Sequence, residues 1–163
     1  MNTPLQQQLF GLLLPGQSVR TDFVPVDGSG TKFTILITDA DPLTISDIVF
    51  FLLPGVILPL GTGAVLYWMV EGTAGFETFG AIFSERPSGV FSTGWANNDA
   101  ILSAVRNKAS LYGEDMRVSH VSITIAVSIE PLVNIENMGL RTKGVEDRIL
   151  TAKVREKINW IIT

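Results

Sequence analysis

The sequence predicts an all-β protein, an antiparallel β-sandwich or jelly-roll-like domain followed by a short C-terminal α-helix. Short runs rich in β-branched and aromatic residues recur along the chain, with turn signals every ten residues or so. In the segment VSHVSITIAVSI, one face has the apolar residues Val121, Ile123, Ile125, Val127 and Ile129, and the other has the small residues Ser122, Thr124, Ala126 and Ser128. A chain of 163 residues is long enough for one domain with a substantial core.

Eight candidate strands follow one another in chain order. They are Gly11–Leu14, Thr21–Val26, Lys32–Thr38, Ile48–Leu53, Ala64–Val70, Phe76–Phe83, Val90–Thr93 and Val118–Ile129. The turn sequences DGSG (27–30), DADP (39–42) and SERPSG (84–89) separate several of them. Strands of this length and spacing are typical of a sandwich or jelly roll.

Two segments depart from the strand pattern. Residues 96–113 are predicted to be irregular or to contain a short helix. From Gly144 onward the sequence predicts an amphipathic helix, whose apolar stripe contains Val145, Ile149, Ala152, Ile158 and Ile161. We therefore expect a sandwich domain over residues 1–133 and a short C-terminal extension over residues 134–163.

The stretch from Asp47 to Glu71 contains 23 uncharged residues, which is long enough to cross a bilayer as a helix. Five helix breakers lie within it: Pro54, Gly55, Pro59, Gly61 and Gly63. Each proline costs roughly 3 kcal/mol inside a helix. The stretch is therefore predicted to form two buried strands joined by a Pro/Gly-rich connection, without membrane insertion.

The amino-acid composition indicates which kinds of partner and which cellular location to expect. Only 17% of residues are charged while 46% are hydrophobic, which favours association, with a homodimer as the expectation. The formal charge of −4 and the lack of a basic stripe argue against nucleic acid. With no cysteine and no basic residue before Arg20, neither disulfides nor a signal peptide is expected, so a cytoplasmic or nuclear location is favoured.

The sequence contains no convincing catalytic motif. His120 is the only histidine and cannot anchor a metal site or a triad alone, so it is interpreted as a polar residue at the start of a strand. Acidic residues cluster at Asp39, Asp41 and Asp47 and at Glu114 and Asp115. They would suit glycosidic chemistry if they converged, but solvated turns are the simpler interpretation. We therefore expect no enzyme activity, no cofactor and no metal, with a hydrolase kept as a rival.

Trp95 and Tyr112 flank the irregular region and are predicted to be exposed. As ring platforms they would suit a carbohydrate- or peptide-binding jelly-roll module, which is the alternative function. A structural, capsid-like assembly is a further alternative.

Four segments together resemble the N-terminal domain of the Hikeshi family: LFGLLLPG, ISDIVFFLLPGVILPLGTGAVLYW, PSGVF and ITIAVSIEPL. The resemblance extends from about Leu9 to Leu132. The positions that carry it are Ile45, Val49, Phe51, Pro59, Gly61, Gly63, Tyr67, Trp68, Gly80, Pro87, Ser88, Val90 and Phe91.

The resemblance implies a jelly-roll-like sandwich with a smaller helical C-terminal part, in a homodimeric, non-enzymatic carrier of the cytoplasm and nucleus. It implies two partners, the ATP-bound heat-shock protein 70 chaperone and the Phe-Gly repeats of nucleoporins. The family's Phe-Gly loop pair corresponds here to Tyr112 and Gly113, after Leu111. These residues and Trp95 are the candidate partner-binding positions, although Tyr112 could equally pack against the sandwich. The C-terminal part is shorter than in the family, and Ile149, Ile158 and Ile161 are the candidate dimer contacts.

Overall fold

The structure is a computed structural model that describes residues 7–111 and 120–141. Its elements, in chain order, are β1 (Phe10–Leu13), β2 (Val24–Pro25), β3 (Lys32–Ala40), β4 (Asp47–Leu52), β5 (Thr62–Val70), β6 (Glu77–Ile82), β7 (Ser88–Ser92), α1 (Asp99–Leu111), β8 (Val121–Pro131) and α2 (Leu132–Asn137). All eight predicted strands are present. β2 is shorter than predicted, because it pairs with β3 only at Val24 and Pro25.

The strands form two antiparallel sheets that pack face to face. One sheet has the order β1-β4-β7 and the other β2-β3-β8-β5-β6. The predicted class, an antiparallel sandwich with a short helix after the last strand, is confirmed. The apolar run from Asp47 to Glu71 forms β4, β5 and their connection, as predicted. Among residues 7–111 and 120–141, no helix has the length and apolar character needed to span a membrane.

The core lies between the two sheets and follows from strand alternation. On β8, Val121, Ile123, Ile125 and Val127 are buried, while the intervening Ser, Thr and Ala residues are half-buried on the outer face. No polar or charged residue is buried in the described part of the chain. The interior is therefore apolar except for the Trp95 indole N–H, which is buried without a hydrogen-bond partner, and its stability comes from burial and packing.

Helix α1 closes one end of the sandwich. Asn98 precedes its first residue and accepts a hydrogen bond from the Ile101 backbone N–H at 3.1 Å, which caps the helix. Ile101, Ala104 and Val105 are its buried residues, at the spacing of one helical face. The predicted irregular or short-helix region is therefore a 13-residue helix, preceded by a 3₁₀ turn at Trp95–Asn97.

Helix α2 covers part of the outer face of the five-stranded sheet. A second apolar cluster forms there from Val65, Ala81, Phe83, Ile135 and Leu140. Gly63 allows this contact, since a Cβ there would lie 2.7 Å from Ile135 and Phe83 side-chain atoms. Helix α2 extends across the predicted boundary between the sandwich domain (1–133) and the C-terminal extension (134–163). The division of the chain into these two parts stays a prediction. The predicted helix from Gly144, including Ile149, Ile158 and Ile161, lies outside the described residues.

Candidate binding pocket

Four phenylalanines meet at the end of the sandwich away from α1. Phe10 of β1 is fully buried, and its ring centroid lies 5.8 Å from that of Phe23, 5.5 Å from Phe33 and 5.4 Å from Phe50. The first two pairs are edge-to-face, an arrangement that aromatic quadrupoles favour. The rings come from both sheets and from the segment before β2, so only the folded topology brings them together.

A partly enclosed cavity of about 300 Å³ opens beside these rings. Its lining residues are Gln7, Gln8, Leu9, Phe10, Thr21, Phe23, Pro25, Gly30 and Phe33. The wall is mostly apolar. Two of its polar residues are joined to each other, since the Thr21 hydroxyl donates a hydrogen bond to the Gln8 side-chain carbonyl at 2.8 Å. For comparison, an apolar cavity of about 150 Å³ binds benzene. The cavity, which we call the Phe10 pocket, has room for an aromatic or large aliphatic side chain.

Arg20 holds the segment that carries Thr21 and Phe23 in place. Its guanidinium donates two hydrogen bonds to Asp22, at 3.0 and 2.6 Å, and a third to the Leu36 backbone carbonyl at 3.0 Å. The hydrogen bonds from Arg20 lower the pKa of Asp22 below its ordinary value. The wall of the Phe10 pocket is thus braced against β3 before any ligand arrives.

The prediction that Trp95 is exposed is wrong. Its side chain has no accessible surface and packs against Trp68 and Phe79, with ring centroids 5.5 and 5.8 Å apart. Gly94, which has a left-handed backbone conformation, directly precedes the 3₁₀ turn Trp95–Asn97. In this fold Trp95 belongs to the core, so it supplies no stacking platform for a sugar ring.

Leu111 is 82% exposed at the last residue of α1, which fits its predicted partner-facing position. Its binding role stays a prediction. Tyr112 and Gly113 lie outside the described residues.

Glu71 connects the two elements that flank residues 112–119. Its carboxylate accepts hydrogen bonds from the Lys108 ammonium group at 3.0 Å and the Ser122 backbone N–H at 2.8 Å. The Ser122 bond is the main cause of a lowered pKa for Glu71, with Lys108 second. The end of α1 is thereby joined to the start of β8.

His120, Asp39 and Asp41 make local contacts. His120 Nδ1 lies 3.3 Å from an Asp39 carboxylate oxygen at an exposed position. Asp41 accepts a hydrogen bond from the Leu43 backbone N–H and caps a 3₁₀ turn. Among residues 7–111 and 120–141, no three potential metal ligands converge. Glu114 and Asp115 lie outside the described residues.

The Phe10 pocket was not predicted from the sequence. Phe23 and Phe33 lie in two of the predicted strands, and Phe10 directly precedes the predicted strand Gly11–Leu14. The one available signal was a phenylalanine in or directly before each of the first three predicted strands. That signal does not say that the rings meet, because strand order is a property of the tertiary structure.

Comparison with known proteins decides the family. A family model described as the Hikeshi-like N-terminal domain matches residues 13–144, which is most of the chain. The chain belongs to the Hikeshi-like family. The resemblance seen in the sequence motifs is thereby confirmed.

Two curated relatives of this Hikeshi-like chain come from yeasts. It is 27% identical over 126 residues to the Protein OPI10 homolog of Schizosaccharomyces pombe, an alignment covering 77% of this chain and 54% of that protein. It is 28% identical over 83 residues to Protein OPI10 of Saccharomyces cerevisiae, covering 51% of this chain and 34% of that protein. The chain thus spans about half or less of the length of these relatives.

Proposed function

We propose that this Hikeshi-like protein is a non-enzymatic binding protein that carries a chaperone between cytoplasm and nucleus. Its partners under this proposal are Phe-Gly repeats of nucleoporins and the ATP-bound form of heat-shock protein 70. Membership in the family supports the proposal. The observation that carries it is the Phe10 pocket, a preformed apolar cavity of about 300 Å³ on a rigid sandwich.

A phenylalanine ring is the natural ligand for this cavity. An edge-to-face contact with Phe23, the half-buried ring of the cavity wall, would stabilise an incoming ring beyond the burial of its apolar area. The neighbouring Gln8 and Thr21 supply polar groups near the cavity, suited to the backbone of the peptide that carries the ring. A glycine after the phenylalanine would let that backbone approach closely. Leu111, at the end of α1, is a second exposed apolar position for a partner.

The proposal for nucleoporin repeats is tested with a synthetic peptide of Phe-Gly repeats and the purified full chain. Thr21→Trp should fill the cavity from its wall and weaken binding about tenfold or more in fluorescence anisotropy. Val26→Trp is the matched control, since Val26 is exposed and does not line the cavity. Equal affinities for Thr21→Trp and the unchanged protein would exclude the Phe10 pocket as the binding site.

The chaperone part of the proposal is tested separately by capture of purified heat-shock protein 70 in ATP and in ADP. We expect capture in ATP and little in ADP. Capture that does not depend on the nucleotide, or no capture, would contradict the carrier function while leaving the Phe-Gly experiment to stand on its own. Light scattering of the same sample tests the proposed homodimer.

A further inference from the structure

The two described sheets have four edge strands, and three of them are protected. The outer edge of β1 is covered by the segment that follows it, through backbone hydrogen bonds between Leu12 and Arg20. β2 is only two residues long and contains Pro25, which has no N–H to offer. β6 has a register shift against β5, and its Ala81 carbonyl accepts a hydrogen bond from the Arg86 guanidinium. Features of this kind keep sheet edges from pairing with other chains.

The fourth edge strand is β7, and its outer edge is open. The Thr93 backbone N–H donates to the Ser46 carbonyl at 2.9 Å, so the odd-numbered residues of β7 turn their backbone groups toward β4. Because this direction alternates along an antiparallel strand, Ser88, Val90 and Ser92 turn their N–H and C=O groups away from β4. In the part of the chain that the structure describes, no strand pairs with that side of β7.

The open edge lacks the features that protect the other three. The sequence of β7, SGVFS, has no charge and no proline, and its pairing with β4 has no register shift. Ser88, Val90 and Ser92 are all exposed, Val90 at 64%. β6 and β7 are joined by a hairpin at Phe83 and Arg86 and then enter different sheets, so β6 does not pair with this edge. A row of free N–H and C=O groups is a template for a further strand.

The free groups of β7 match those of a second copy of the same strand. An antiparallel copy related by a two-fold axis at Val90 places Val90 opposite its counterpart and Ser88 opposite Ser92 of the second copy. Each pair then exchanges both of its N–H···O bonds, so no free group remains on either strand. The contact also brings no like charges together, since β7 has no charged residue.

The side chains on the outer face favour a second copy over an unrelated peptide. The strand register places Leu13 of β1, Val49 of β4 and Val90 of β7 in one row across the three-stranded sheet. Next to its counterpart, Val90 continues this aliphatic row into the second copy and gains an apolar cross-strand neighbour. A peptide of another sequence shares the backbone groups but neither the symmetry about Val90 nor this match of side chains.

We propose that the outer edge of β7 is an interface between two copies of this chain, whose three-stranded sheets join there into one continuous sheet. The inference rests on the homodimer of the proposed function and assigns its contact, and it is independent of Phe-Gly and chaperone binding. One five-residue strand makes a small contact, so we expect dissociation in the micromolar range.

Sedimentation velocity of the full chain over a dilution series tests the interface. We expect a monomer–dimer equilibrium whose association is weakened about tenfold or more by Val90→Lys, because two ammonium groups would then face each other at the axis. Val24→Lys is the matched control, since it makes the same change at an exposed valine of the edge strand β2 and should leave the association unchanged. Circular dichroism confirms that each variant is folded.

Cysteine substitutions test the register, since the chain contains no cysteine of its own. Val90→Cys places two thiols on directly opposite residues, whose Cα atoms lie about 5.5 Å apart in a hydrogen-bonded pair, a distance that a disulfide bridges. It should give a covalent dimer under mild oxidation. Ser92→Cys is the control on the same strand, because its counterpart lies about 13 Å further along the paired strands and should not be crosslinked.

The outcomes separate this interface from the proposed function. A dimer that Val90→Lys does not weaken, or equal crosslinking of Val90→Cys and Ser92→Cys, would overturn the proposal and leave the homodimer of the proposed function in place. A chain that is monomeric at every concentration would overturn both the interface and the homodimer. Binding of Phe-Gly repeats and of the chaperone is measured separately and stands or falls on its own.

Discussion

The two ends of the sandwich core contain the same kind of side chain and differ in what covers it. At one end Trp68, Phe79, Phe91 and Trp95 pack together, and Trp95 begins the 3₁₀ turn that precedes α1. At the other end Phe10, Phe23, Phe33 and Phe50 pack together, but the segments around them leave a cavity of about 300 Å³. The closed cluster thus contributes to stability, and the open one is the binding site of the proposed function.

The largest expected difference between the two ends is in stability. Trp95→Ala should lower the free energy of unfolding by about 3–5 kcal/mol, because it empties a fully buried volume. Phe23→Ala should cost about 1–2 kcal/mol, since Phe23 is half-buried and already borders a cavity. Urea unfolding measures both. Equal losses would mean that the pocket end is packed as tightly as the helix end.

A smaller effect is expected from the cap that holds α1 over the closed end. Asn98→Ala removes the acceptor for the Ile101 backbone N–H and should cost about 1 kcal/mol of stability in the same unfolding experiment. Asn107→Ala, at an exposed position within α1, is the control and should change little. If the two variants lost the same stability, capping would not be the reason.

The smallest effect is expected from pH, because the ion pairs that brace the two ends are exposed. Both Asp22 and Glu71 have a lowered pKa in the folded protein. Their contribution is therefore fully present above the ordinary values of 3.8 and 4.5 and is lost as the pH falls through the lower folded values.

Unfolding free energies measured from pH 7 down to pH 3 test this expectation. Glu71→Gln, at the closed end, and Asp22→Asn, at the open end, should each reduce the loss of unfolding free energy at acid pH, because each removes one titrating group. A decline that neither substitution alters would have to come from other carboxylates. Sodium chloride should weaken both contributions.

The strands could be predicted because their signal is local. Alternation on β8 and the breakers between Asp47 and Glu71 each describe a few neighbouring residues, and burial in the structure follows them. Trp95 could not be placed in the same way, since its burial depends on a 3₁₀ turn that starts at the left-handed Gly94. The Phe10 pocket needs three segments from two sheets to meet, which no local pattern encodes.

The position of β8 has a consequence for how the chain folds. This strand, the last that the structure describes, lies in the middle of its sheet, between β3 and β5, so that Ile35 and Trp68 both pair with Ile125. Until residues 121–131 have been synthesised, β3 and β5 have no partner on their inner edges, and unpaired strand edges promote aggregation. Contacts between residues so far apart in sequence also slow folding. A newly made chain should therefore be most prone to aggregation until β8 has been inserted between β3 and β5.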